Sequence, residues 1–100
     1  MIIGQVAGSV VSTTKDVKLQ GKKLLIVQPL DMVTLKPDGK QVVAIDTVGS
    51  GKGEVVMVVS GSSARQTEIT NGTPVDAAII GVVDIIEIQG DVTFDKTKGR

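Results

Sequence analysis

The 100-residue sequence contains no cysteine and no histidine. Disulfides, thiol nucleophiles, zinc sites of Cys/His type and histidine acid–base catalysis are therefore excluded. Tryptophan and tyrosine are missing too, and Phe94 is the single aromatic residue. Stacking platforms for single-stranded nucleic acid need aromatic faces, so that function is hard to build here. Aromatic-lined carbohydrate sites fail for the same reason. Charge of one sign is also lacking, because 11 basic residues balance 11 acidic ones. Neither a whole-domain footprint for nucleic acid nor attraction to an anionic membrane surface has support. The longest apolar run, residues 77–83, is far short of the ~20 residues a membrane helix needs. The first residues lack the basic start and apolar run of a signal peptide, so a soluble, cytoplasmic protein is expected. A metal could be held only by carboxylates, carbonyls or hydroxyls. No spacing of these suggests such a site, and no cofactor is expected.

What the chain does hold is aliphatic: 17 valines, 10 isoleucines and 5 leucines, with 12 glycines between them. A mean hydropathy of +0.25 is more aliphatic character than one small core easily hides. Oligomerisation is the simplest explanation. β-branched residues punctuated by glycine read as short strands and tight turns. Strands are expected over residues 3–12, 23–30, 41–48, 54–60, 85–88 and 92–95. Gly4 and Gly8 allow a bend or a close backbone approach in the first of them. Residues 36–40 read as a hairpin turn, with Pro37 presetting one backbone angle and Gly39 taking a left-handed one. Thr73, Pro74 and Asp76 read as the cap and first turn of a short helix. The expected fold is mainly β: one small OB-like five-stranded barrel over residues 1–95, with one or two short helices and a flexible tail over 96–100.

Two glycine-rich stretches invite chemistry. Gly49, Ser50, Gly51 and Lys52 contain the Gly-Lys pair of a phosphate loop. The motif's first glycine is Asp46 here, Gly53 follows the lysine, and a strand follows instead of a helix. A glycine turn joining two strands is the better reading. Ser60, Gly61, Ser62, Ser63 and Arg65 set hydroxyls beside a cation, but no histidine can activate a serine. Lys52 is the only suggestive base. The plainer reading has the serines capping a turn and Arg65 bonded to a carboxylate or carbonyl. No catalytic set emerges.

Five segments resemble a known family: residues 4–13 (GQVAGSVVST), 21–28 (GKKLLIVQ), 43–54 (VAIDTVGSGKGE), 59–66 (VSGSSARQ) and 74–84 (PVDAAIIGVVD). They resemble the vertex proteins of bacterial microcompartments, the EutN/CcmL type, and run in the right order over most of the chain. Ser50 stands where that pattern has alanine, and Lys52 adds a charge to the glycine loop. The resemblance implies an OB-like barrel that assembles as a homopentamer and caps the five-fold vertices of a shell whose facets are hexameric proteins. It implies no enzyme. The wording of residues 59–66 is nearer the catabolic branch, of ethanolamine or diol type, than the carboxysome branch. Small residues suit a symmetry axis, where one side chain arrives five times. Ser60, Gly61 and Ser62 are the axis candidates on this ground, with Gly49, Ser50 and Gly51 as the second choice. Arg65 is the candidate for the subunit interface. An OB-fold binding module for nucleic acid or peptide is the alternative, and it would need a basic or aromatic face.

Overall fold

The computed structural model describes residues 1–13, 15–68, 70–72 and 75–98. Five strands close a barrel: β1 (Ile2–Val10), β2 (Leu24–Pro29), β3 (Val42–Asp46), β4 (Val55–Ser60) and β5 (Ala77–Val82). Their order around the barrel is β1-β2-β3-β5-β4. Every neighbouring pair is antiparallel except β3 and β5. A hairpin of β6 (Ile85–Ile88) and β7 (Asp91–Asp95) forms a separate two-stranded sheet. Closure of the barrel removes the open edges that so aliphatic a sheet would expose.

The aliphatic residues sort into three packed groups. Val6, Leu25, Val27, Ala44, Val56, Val58, Ala77 and Ile79 fill the barrel. Ile45 and Ala78 pack outside it, against Ala64 of a 3-10 turn over Gly61–Arg65. Val55, Val83 and Phe94 join the hairpin to the barrel wall. This explains the unbroken apolar run of β4. Val56 and Val58 point into the barrel, whereas Val55 and Met57 point at the hairpin, so both faces are covered. Two outer layers therefore absorb part of the aliphatic excess. The rest stays exposed, notably Val11 (90%), Val17 (73%), Val33 (62%), Ile85 (59%) and Val92 (57%).

Three expectations need correction. The short helix is replaced by β5: Thr73 and Pro74 lie outside the described residues, but Ala77–Val82 is a strand. It pairs with β3 on one side and β4 on the other, and an added Cβ at Gly81 would run into the Met57 side chain. Tertiary pairing outweighs the helix propensity of two alanines here. As a result, the barrel's fifth strand is Ala77–Val82, and residues 85–88 belong to the outer hairpin. The third correction concerns residues 36–40, which are not the tip of the β2–β3 connection. The chain reverses earlier, within residues 31–36, closed by a bridge between Leu30 and Pro37. Asp31 sets that turn by accepting the backbone N–H groups of Val33 and Thr34 at 2.8 and 2.9 Å. Gly39 does take the left-handed conformation, with φ 104°.

The β6–β7 turn has both central residues at positive φ, Gln89 at 52° and Gly90 at 87°. That is the two-residue turn whose twist matches a hairpin. Residues 96–98 form one 3-10 turn, while Gly99 and Arg100 of the expected tail lie outside the described residues.

Candidate functional site

The glycine loop between β3 and β4 is held by its own chain. Asp46, at the end of β3, accepts three hydrogen bonds on one oxygen: from Val48 N–H, Ser50 N–H and the Ser50 hydroxyl (2.8 Å). Ser50 is fully buried, and its carbonyl accepts the Lys23 ammonium at 2.6 Å. Gly51 N–H donates to Glu54 Oε1 at 2.8 Å, and Lys96 pairs with the other Glu54 oxygen at 3.2 Å. Chiefly through the Gly51 N–H and then the Lys96 contact, the Glu54 carboxyl is held below the usual range. Gly53 N–H donates to Val6 C=O at 2.8 Å and ties the loop to β1.

This geometry decides the phosphate-loop question. A phosphate cradle presents free N–H groups, but the N–H groups of residues 48, 50 and 51 already face the carboxylates of Asp46 and Glu54. An anion would have to displace two negative charges. The loop is a buttressed turn, and Lys52 projects exposed from it.

The serine stretch forms the 3-10 turn after β4. Gly61 supplies the positive φ (64°) that starts it, and Ala64 anchors it at full burial. Ser60, Gly61, Ser62 and Arg65 are exposed. Arg65 Nη1 donates to the Val75 carbonyl at 3.1 Å, and Gly61 N–H donates to the Asp76 carbonyl at 2.8 Å. These two bonds staple the turn to the segment entering β5. Lys52 lies before the start of β4 and the serines at its end, so the strand's length separates them. Strands rise about 3.3 Å per residue, which keeps Lys52 out of reach of Ser60, Ser62 and Ser63 as an activating base.

Sequence reasoning missed three contributors: Asp46 and Lys23 as supports of the glycine loop, and the hairpin as a separate arm. Only Asp46 left a signal, an aspartate placed to receive N–H groups two and four residues on. Lys23 and Ser50 meet only through the fold.

The structure thus defines a class: a small closed β-barrel with an appended hairpin, whose distinctive groups serve loop architecture and outer faces. The sequence pattern of the family described as "Ethanolamine utilisation protein EutN/carboxysome" matches residues 1–84. The bacterial microcompartment shell vertex protein GrpN of Rhodospirillum rubrum is 49% identical over 87% of this chain and 97% of its own. Its solved structure, described as a pentameric microcompartment shell protein, superposes with a TM-score of 0.80 over 88% of this chain and 99% of that one. The shell vertex protein EutN of Salmonella typhimurium is 44% identical over 96% of both chains. The structure of CcmL from Nostoc sp. PCC 7120 is 40% identical and reaches a TM-score of 0.90, covering 95% of this chain and 99% of that one. The chain belongs to the EutN/carboxysome family.

Proposed function

We propose that this protein is a structural vertex subunit of a bacterial microcompartment shell, working as a closed ring of five copies. The observation that carries this reading is similarity, over 87% and 96% of the chain, to proteins named shell vertex proteins, one of them solved as a pentameric shell protein. The physics points the same way. Hexagonal tiles alone cover a plane, and a closed shell needs pentagons. The work is geometric, and no chemical step is assigned to the chain. Hexameric shell proteins are the neighbours this role requires. Identity of 44% with EutN, against 41% and 38% with two CcmL proteins, favours an ethanolamine-type shell over a carboxysome.

Within the ring, Ser60, Gly61 and Ser62 are assigned to the axis. They are exposed, small and uncharged, and the turn that carries them is pinned at both ends. Lys52 is assigned away from the axis, because five ammonium groups around one opening would repel one another. Arg65 is assigned to the subunit interface, where its remaining donors can reach a neighbour's carbonyls or carboxylates. Native mass spectrometry tests the reading. Five copies of a 10.4 kDa chain give a particle of about 52 kDa, and monomer alone at micromolar concentration would refute it. Arg65→Ala should shift that ring towards monomer while leaving the far-UV circular dichroism unchanged.

A further inference from the structure

We infer that neighbouring copies join arm to groove: the acidic β6–β7 hairpin of one copy seats on a groove of the next that is lined by aliphatics and lysines. This rests on the ring reading above and names the contact that closes it. Residues 84–95 carry four carboxylates, Asp84, Glu87, Asp91 and Asp95, and no cation. Residues 15–23 carry Lys15, Lys18, Lys22 and Lys23 against one carboxylate, Asp16. The chain's zero net charge therefore hides two segments of opposite sign, the acidic one bounded by Lys96 and Lys98.

Each patch also offers aliphatic surface. On the hairpin, Ile86 and Phe94 turn inward to the barrel wall, which leaves Ile85 and Val92 exposed with Glu87 between them. The groove, of about 320 Å³, is lined by Val10, Val11 and Leu24 together with Ser9, Ser12 and the lysines at 15, 22 and 23. Val11 is 90% exposed among the described residues and leaves apolar surface in water.

The two patches lie at opposite ends of the β1–β2 ladder. The hairpin packs against Ile3 and Leu30, while the groove lies beside Val10 and Leu24. Seven residues of strand separate these ends, roughly 23 Å. The arm cannot reach its own groove. Because two different patches of one chain complement each other, the contact is heterologous, and heterologous contacts generate rings when the rotation closes. Opposite charge across the contact sets register and speeds encounter, and the buried aliphatics supply the holding energy.

The test is charge reversal on the full chain, read by native mass spectrometry at 1 to 10 μM. Lys15→Glu/Lys22→Glu in the groove and Glu87→Lys/Asp91→Lys on the arm should each raise the concentration of half-dissociation at least tenfold. Combining all four should restore the ring. Circular dichroism checks that each variant folds. A second measurement does not depend on charge: the chain lacks cysteine, so Val11→Cys/Val92→Cys introduces the only thiols. Mild oxidation should link copies into a ladder ending at five, whereas either single variant should stop at dimer. Wild type that is monomeric throughout overturns the ring reading and this contact with it. A wild-type pentamer with unaffected folded variants, no rescue, or no ladder overturns the arm-in-groove contact alone.

Discussion

Gly4 is the position where the barrel tolerates least. It sits where β1 passes between both its neighbours, opposite Pro29 of β2 and Val56 of β4. A Cβ there would overlap the Val27 side chain and stand 2.9 Å from the Gln28 carbonyl oxygen. The side chain can turn aside, but the carbonyl belongs to the β2 backbone and moves only if the barrel opens. Overpacking of this kind costs about 1–3 kcal/mol, against a gain of roughly 0.5–1 kcal/mol from losing a glycine in the unfolded chain. Gly4→Ala should therefore destabilise by about 1–2 kcal/mol, a fall in Tm of roughly 5–15 °C for a domain this size. Two neighbours serve as controls. At Gly8 the nearest atom to an added Cβ is Ile26 Cδ1 at 3.8 Å, an ordinary contact, so Gly8→Ala should be neutral or slightly stabilising. At Gly81 only the flexible end of Met57 is in the way, and Gly81→Ala should cost less than Gly4→Ala. Urea unfolding at one fixed protein concentration reads all three, since ring formation makes stability concentration-dependent. Gly4→Ala as stable as wild type, or Gly8→Ala the most damaged, would refute the reasoning.

Asp46→Ala should cost about 1–3 kcal/mol in the same assay, because it orphans the fully buried Ser50 hydroxyl and N–H. Ser50→Ala should cost less, about 1 kcal/mol or under, since Asp46 keeps its backbone donor from Val48. The reverse order would contradict the loop's architecture. Glu54, Asp31 and Asp95 are all held below their usual values. Glu54 is held chiefly by Gly51 N–H, Asp31 by the N–H groups of Thr34 and then Val33, and Asp95 by the Thr97 hydroxyl and then its N–H. Carboxyls lowered in the folded state stabilise it above the unfolded value and lose that contribution as pH falls through the folded one. Tm should be level near neutrality and decline below about pH 4.5, less steeply in Glu54→Gln; a profile that rises with acid would count against these bonds.

Much of the barrel is legible in the sequence for a simple reason. Valine and isoleucine runs ended by glycine leave few options other than strands, and six of the seven strands fall close to where the pattern puts them. β5 is the exception because its local signals point elsewhere. Two alanines after a threonine–proline pair favour a helix start, and only pairing with β3 and β4 across the fold reverses that preference. The hairpin's separate place is hidden for a related reason. Residues 85–88 and 92–95 read as strands like those of the barrel, and only the closure of β1 to β5 without them reveals an arm. The glycine loop reads correctly as a turn from Gly49, Gly51 and Gly53. Its stiffness does not, because Lys23 is 27 residues from Ser50 and Lys96 is 42 from Glu54. Burial of Ser50 likewise has no local signature, as serine in a glycine-rich turn is ordinarily exposed.

The central claim is that this chain makes the five-fold corners of a shell. Electron cryomicroscopy of shells assembled with and without it tests that claim most directly. With the chain present, closed polyhedra should show a five-subunit density of this barrel at each vertex. Without it, the remaining shell proteins should form sheets, tubes or shells open at their corners. Equally closed polyhedra without the chain, or density for it within the facets, would contradict the account.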